Sequence, residues 1–179
     1  MYLDDPSSRR FPKVPIDRRA YAFLIDFVSV WLISSVVGAA WFLQLLVFII
    51  TWLILRVIVV EKNKGQSLGR WSLDMKIIDG RFRRIPGIVE LAKREGILGL
   101  EAAIAMIGLN LAFINPLSTL LLVSPLLVDC GLAIGDEEFN QAFHDRFAGT
   151  LMIQTQRGFS LDLRLRRVWW EVKGRLKKK

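Results

Sequence analysis

Between Ala20 and Val60 the sequence is almost continuously apolar, and this run limits the fold more than anything else in the chain. It is about twice the roughly 20 residues that a helix needs to cross a bilayer. Unpaired backbone groups are costly in hydrocarbon, so a run of this kind must be helical. Gly38 stands near the middle, among the small residues of "SVVGAAW", and the spacing predicts two helices, about 19–37 and 41–60, joined by a turn there.

A second apolar stretch, 97–135, is divided by Asn115-Pro116, a turn signal. It reads as two further helices, about 97–113 and 117–135, the other arrangement being one long helix kinked at Pro116. Charge decides between them. With four spans, the turns at 38–40 and 114–116 carry no lysine or arginine, and 24 of the 25 basic residues fall on the opposite side. Basic loops stay in the cytoplasm, so both termini are expected there. Three spans would place the ten basic residues of the C-terminal part on the wrong side.

The remaining segments are polar. Residues 1–17 read as a cytoplasmic arm rich in proline, with Asp17 as N-cap of the first helix. In the basic loop 61–96, "SLDMKIIDG" alternates apolar and polar residues up to a turn at Asp79-Gly80, which predicts a short strand or β-hairpin. After Pro86, the pattern from Ile88 to Glu95 suits a helix lying at the membrane surface. "TLMIQ", after Gly149-Thr150, reads as another short strand. Residues 155–179 form a basic tail with Trp169 and Trp170, suited to anionic headgroups or else simply solvated. The expected fold is therefore an all-α membrane protein, with four transmembrane helices as two hairpins and a basic cytoplasmic loop.

Composition excludes several classes. The net charge of +8 alone would fit a nucleic-acid binder, but 53% apolar residues would not, and no nucleic acid is expected. One cysteine, Cys130, and one histidine, His144, leave no disulfide and no metal set. "GQSLGR" lacks the spacing of a phosphate-binding loop, and no serine–histidine–acid constellation is visible. Neither an enzyme nor a cofactor is expected.

Four charged residues fall within the apolar helices or at their ends: Asp26, Arg56, Glu101 and Asp129. Arg19 and Asp26 are seven residues apart, so they share one helix face, about 10 Å apart along the axis. An ionised aspartate near the centre of a membrane helix costs on the order of 3 kcal/mol, so Asp26 needs a partner or a proton. Arg56 is the candidate partner. Antiparallel counting from the turn leaves a mismatch of about 5 Å, which an arginine can span. Glu101 and Asp129 fall in the same half of the bundle. The cluster either binds a cation or relays a proton, or it fixes helix register.

Three motifs resemble the RDD family of small membrane proteins, named for one arginine and two aspartates. "RRAYAFLID" is similar to the opening motif, with Arg19 and Asp26. "GQSLGRWSLDMKIID" resembles the glycine-containing segment, with Gly65, Gln66, Leu68 and Gly69 matching and Arg70 where lysine is commoner. "HDRFAGTLMI" resembles the closing motif, with His144, Asp145, Gly149 and Thr150. "LAKREG" is similar to an Arg-Glu pair before the third helix. The resemblance covers about residues 18–154; Arg56, Glu101 and the tail lie outside its pattern. It implies a multi-pass membrane domain, with ligand transport or sodium/proton exchange as candidate activities. Read from the residues alone, Asp145 caps a turn or pairs with an arginine.

Two functions are expected from this reading. One is ion or small-solute transport through Asp26, in a homo-oligomer. The other is a non-catalytic assembly or interaction protein that binds other membrane proteins or anionic lipid at the basic loop and tail. The expected location is the bacterial inner membrane, with the thylakoid as the alternative, because the opening segment is similar to that of members from photosynthetic bacteria.

Overall fold

The computed structural model describes residues 14–38, 40–136, 139–155 and 161. The expectations for residues 1–13 and for most of the tail lie outside these.

The first helix, α1 (Ile16–Ser35), begins at Pro15, so Asp17 sits in its first turn rather than capping it. After the turn at Gly38 comes α2 (Trp41–Lys62), in which Ile54–Ile58 form a π turn. Short α3 (Leu68–Ser72) starts at Ser67, whose Oγ accepts the Arg70 N–H. Then follow β1 (Met75–Asp79), α4 (Ile88–Asn110), α5 (Pro116–Gly131), α6 (Phe143–Phe147) and β2 (Thr150–Gln154). Asn115 caps α5 by accepting the Ser118 N–H at 3.2 Å, and Pro116 takes the first helical position, where its missing N–H costs nothing.

α4 differs from expectation. The surface helix predicted at 88–95 is the first two turns of one continuous helix to Asn110. Leu91, Glu95, Leu98, Ala102 and Met106 recur at three- and four-residue steps, and all are buried on one face. The pattern that looks amphipathic over eight residues is the start of a longer inward stripe that includes a carboxylate.

The strands also differ from a local hairpin. β1 pairs with β2, antiparallel, with Ile77 opposite Met152 and Asp79 opposite Thr150. Asp79-Gly80 does make a turn, in which Asp79 Oδ1 accepts the N–H groups of Arg81 and Phe82 at 2.7 and 2.9 Å. The residues beyond it, "RFRRIPG", have no alternation that could build a partner strand, whereas Thr150–Ile153 is buried throughout. Ile77 packs with Val57, Val60 and Leu91, so the ribbon covers the end of the bundle where α2 finishes and α4 begins. Gly65 (φ +85°) ends α2, and its carbonyl accepts the Ile77 N–H at 2.9 Å.

In the bundle, α1 packs on α2, α2 on α4 and α4 on α5. Phe48 stacks on Trp52 in the centre and meets Phe27 edge to face, with Ala102 and Ala105 of α4 letting the neighbouring helices approach. The outward faces of α2 and α5 are apolar and exposed, among them Phe42, Leu46, Ile50, Leu120, Leu121 and Val128. Among the described residues one helix, Trp41–Lys62, is long and apolar enough to cross a membrane, and Pro116–Gly131 is apolar but shorter.

Candidate functional site

A network of buried charges lies at the ribbon end of the bundle. Asp26, fully buried on α1, accepts three hydrogen bonds: from Arg56 Nη1 at 2.7 Å, Ser67 Oγ at 2.6 Å and the Gly69 N–H at 2.7 Å. A Cβ at position 69 would overlap the Ala22 carbonyl, so only glycine lets α3 approach α1 closely enough to donate this bond.

Arg56 sits in the π turn of α2. The wider turn brings residues four apart closer to vertical alignment than an α turn does, which keeps Arg56 on the face of Phe48 and Trp52. Its guanidinium lies 4.8 Å from the Trp52 ring centroid and so faces Asp26 on one side and α4 on the other.

On α4, Glu95 is the hub. It accepts from Arg56 Nε at 2.7 Å, from Arg70 Nη2 at 2.8 Å and from Arg94 Nη1. Arg94 continues the chain to Asp145, its Nε donating at 2.8 Å. Asp145 also pairs with Arg19, which reaches the Asn140 carbonyl with its other amino group. Burial by itself would raise the Asp145 carboxyl, but Arg94 and Arg19 outweigh it and hold the group well below the usual carboxylate range.

His144 closes the network. Arg94 Nη2 lies 3.2 Å from its Nε2, and arginine has only donors, so Nε2 is the acceptor and the ring proton is on Nδ1. That proton points at Asp129, whose other oxygen accepts the His144 backbone N–H at 2.9 Å. Arginines 19, 56, 70 and 94 and His144 thus share the buried network with the carboxylates of Asp26, Glu95, Asp129 and Asp145.

The residues singled out from sequence are thus distributed unevenly. Arg56 is placed against Asp26, and Asp129 is reached only through His144 and Arg94. Glu101 stands apart, with one buried carboxylate oxygen that has no partner among the described residues. Gln66 donates to the Met75 carbonyl at 2.7 Å and holds β1, while Thr150 bonds the Asp145 carbonyl. Gly149 turns the chain between α6 and β2 (φ +64°). Sequence reasoning missed Ser67, Arg70, Arg94 and Glu95 as members of the network. The signal for Glu95 was its register with Leu91 and Leu98.

A family model described as the RDD family matches residues 13–149. The chain belongs to the RDD family. No curated protein and no solved structure matches it. Membership places it among membrane proteins, in keeping with the long apolar helix Trp41–Lys62. In this RDD protein Arg19 and Asp145, to which the resemblance assigns the family's arginine and second aspartate, form an ion pair across 126 positions of sequence. The first aspartate, Asp26, is held by Arg56 instead.

Proposed function

We propose that this RDD protein is a four-span protein of the bacterial plasma membrane, with both termini cytoplasmic, which binds anionic lipid and membrane partners and catalyses no reaction. Trp71 and Phe82 are exposed in a loop rich in arginine and lysine, and Arg84 lies over the Phe82 ring at 5.0 Å, an arrangement suited to headgroups. The exposed apolar faces of α2 and α5 fit hydrocarbon or a second membrane protein, in a homo-oligomer or larger complex.

One observation carries the preference for binding over transport. Asp26 is fully buried and accepts three hydrogen bonds, from Arg56, Ser67 and Gly69. A carboxylate that carries a cation or proton must exchange partners, whereas this one is fixed by three donors on two other elements. Asp26 is then a register pin that joins α1, α2 and α3.

The test is reconstitution in liposomes containing a pH dye, under a sodium or potassium gradient. The expected result is no proton movement that depends on Asp26. Ion-driven acidification that vanishes in Asp26→Asn would overturn the reading. A second reading, ion transport, draws on Glu101, whose buried oxygen lacks a partner among the described residues; flux abolished by Glu101→Gln would establish it.

A further inference from the structure

α1 and α5 are the two ends of the helix row, with α2 and α4 between them. Between those ends lies a cavity of about 340 Å³. Phe23 and Phe27 of α1 form one wall, Val123 and Leu126 of α5 the other, and Leu98 and Ala105 of α4 the floor. Leu24 and Leu127 also line it and are exposed, so the mouth opens sideways onto the apolar outer surface.

The dimensions limit what can enter. On α1 the lining runs from Ile16 to Phe27, about 16 Å at helical rise. Farther along α1, Ser34 Oγ lies 4.0 Å from Met106 Sδ of α4, and no lining residue of α1 lies past Phe27. A hydrocarbon core is about 30 Å thick, so the cavity reaches through one leaflet and stops, and a crossing helix is too long for it. An apolar cavity of about 150 Å³ stays dry and takes benzene, so one of this size takes an apolar chain of about a dozen carbons. Left empty, it would forfeit dispersion contacts on every wall.

The polar residues beside the cavity offer nothing to a headgroup. Arg56, Arg70, Arg94 and His144 border its inner end, each no more than 3% exposed. Arg56 and Arg94 are turned to Asp26, Glu95 and Asp145, and the Nε and Nη1 of Arg70 are themselves buried.

We infer that the cavity between α1 and α5 seats one acyl chain of a bilayer lipid, drawn in sideways from the leaflet on the ribbon side, with its headgroup left outside. The seat selects for a chain and is indifferent to headgroup charge. Once inside, the chain packs between Phe27 and Val123 and gives the two ends of the helix row a common partner. This rests on the reading above only for its membrane placement.

The experiment reconstitutes the full chain in two sets of vesicles, one of phosphatidylcholine and one containing phosphatidylglycerol. Each carries a trace of its own lipid with a diazirine at the middle of one acyl chain. After irradiation, adducts are located by peptide mass spectrometry. Phe27 and Leu126 are the diagnostic positions, because at 4% and 8% exposure they are out of reach of lipid that only surrounds the protein. Adducts are expected at both, in equal yield from the two lipids. Val123→Trp, which fills the cavity, should abolish them and leave adducts on exposed Leu46 and Ile50 of α2 unchanged. Leu127→Trp, at the exposed mouth, should do the same without altering the core, which keeps the test valid if the first variant misfolds. Adducts confined to exposed residues, or unchanged in both variants, overturn the inference, and so does a yield that depends on the headgroup. Loss of the Phe27 and Leu126 adducts as the protein-to-lipid ratio rises would mean that a second copy fills the gap, and overturns it too. Asp26-dependent flux with those adducts intact would instead overturn the binding-protein reading and leave this seat standing.

Discussion

The backbone N–H of Gly69 donates to Asp26 Oδ1 at 2.7 Å, joining α3 to the middle of α1. Two residues 43 positions apart thus have one joint role: the glycine gives access and the aspartate takes the bond.

Gly69→Ala should therefore be strongly destabilising. The added methyl meets the Ala22 backbone, which cannot yield as a flexible side chain can. Overpacking costs about 1–3 kcal/mol, and separating the Gly69 N–H from its acceptor adds about 1–3 kcal/mol. Unfolding by a denaturing detergent, followed through tryptophan fluorescence, should show an earlier midpoint. An unchanged midpoint would contradict the close approach of α3 to α1.

Arg56 binds two carboxylates at once, so its loss should exceed that of either acid. Arg56→Met leaves Asp26 and Glu95 short of a donor in a buried site, at an expected cost of about 3–5 kcal/mol. Asp26→Asn added to it should cost less than the sum of the two single changes. Arg56→Lys should not restore stability, because an ammonium cannot address both acids from one planar fork. Additive single effects in a double-mutant cycle would exclude the direct pair.

Asp145 predicts an acid limit. Its folded-state carboxyl is held well below the usual range, so its contribution is fully present above the unfolded-state value, about pH 4, and is lost as pH falls toward the folded-state value. Stability followed from pH 7 downward should decline below about pH 4. Asp145→Asn should be less stable at pH 7 and show a flatter decline. A variant that keeps the wild-type slope would assign the acid sensitivity to other groups.

The proposed topology can be read by chemical labelling. In a Cys130→Ala background, single cysteines at Gly38 and Asn115 should react with an impermeant maleimide applied to intact cells. A cysteine at Phe82 should react only after the membrane is opened. Labelling of position 82 from outside would reverse the orientation.

Much of the helical framework was legible because hydropathy and turn residues act locally. The break at Gly38 and the cap at Asn115 need no tertiary information. The register of Asp26 against Arg56 also follows from counting back from a short turn, since helical rise is fixed. The role of "KRE" at 93–95 was obscured because residue type suggests solvent, whereas helix periodicity puts Glu95 on the buried stripe. The pairing of β1 with β2 could not be read from either segment, because a strand's pattern shows which faces it buries and not which strand lies beside it. Arg19 and Asp145 are linked in sequence only by the family motif, and the ion pair itself depends on the whole fold.

The ribbon has a consequence for biosynthesis. β1 emerges from the ribosome long before β2, so α1, α2 and α4 are made while the strand beneath them still lacks its neighbour. During that interval Arg19 and Arg94 have no Asp145, and Asp129 has no His144. The last-made turn and strand therefore act as a latch, and a chain stalled before residue 143 would be an exposed target for quality-control proteases even with every long helix already synthesised.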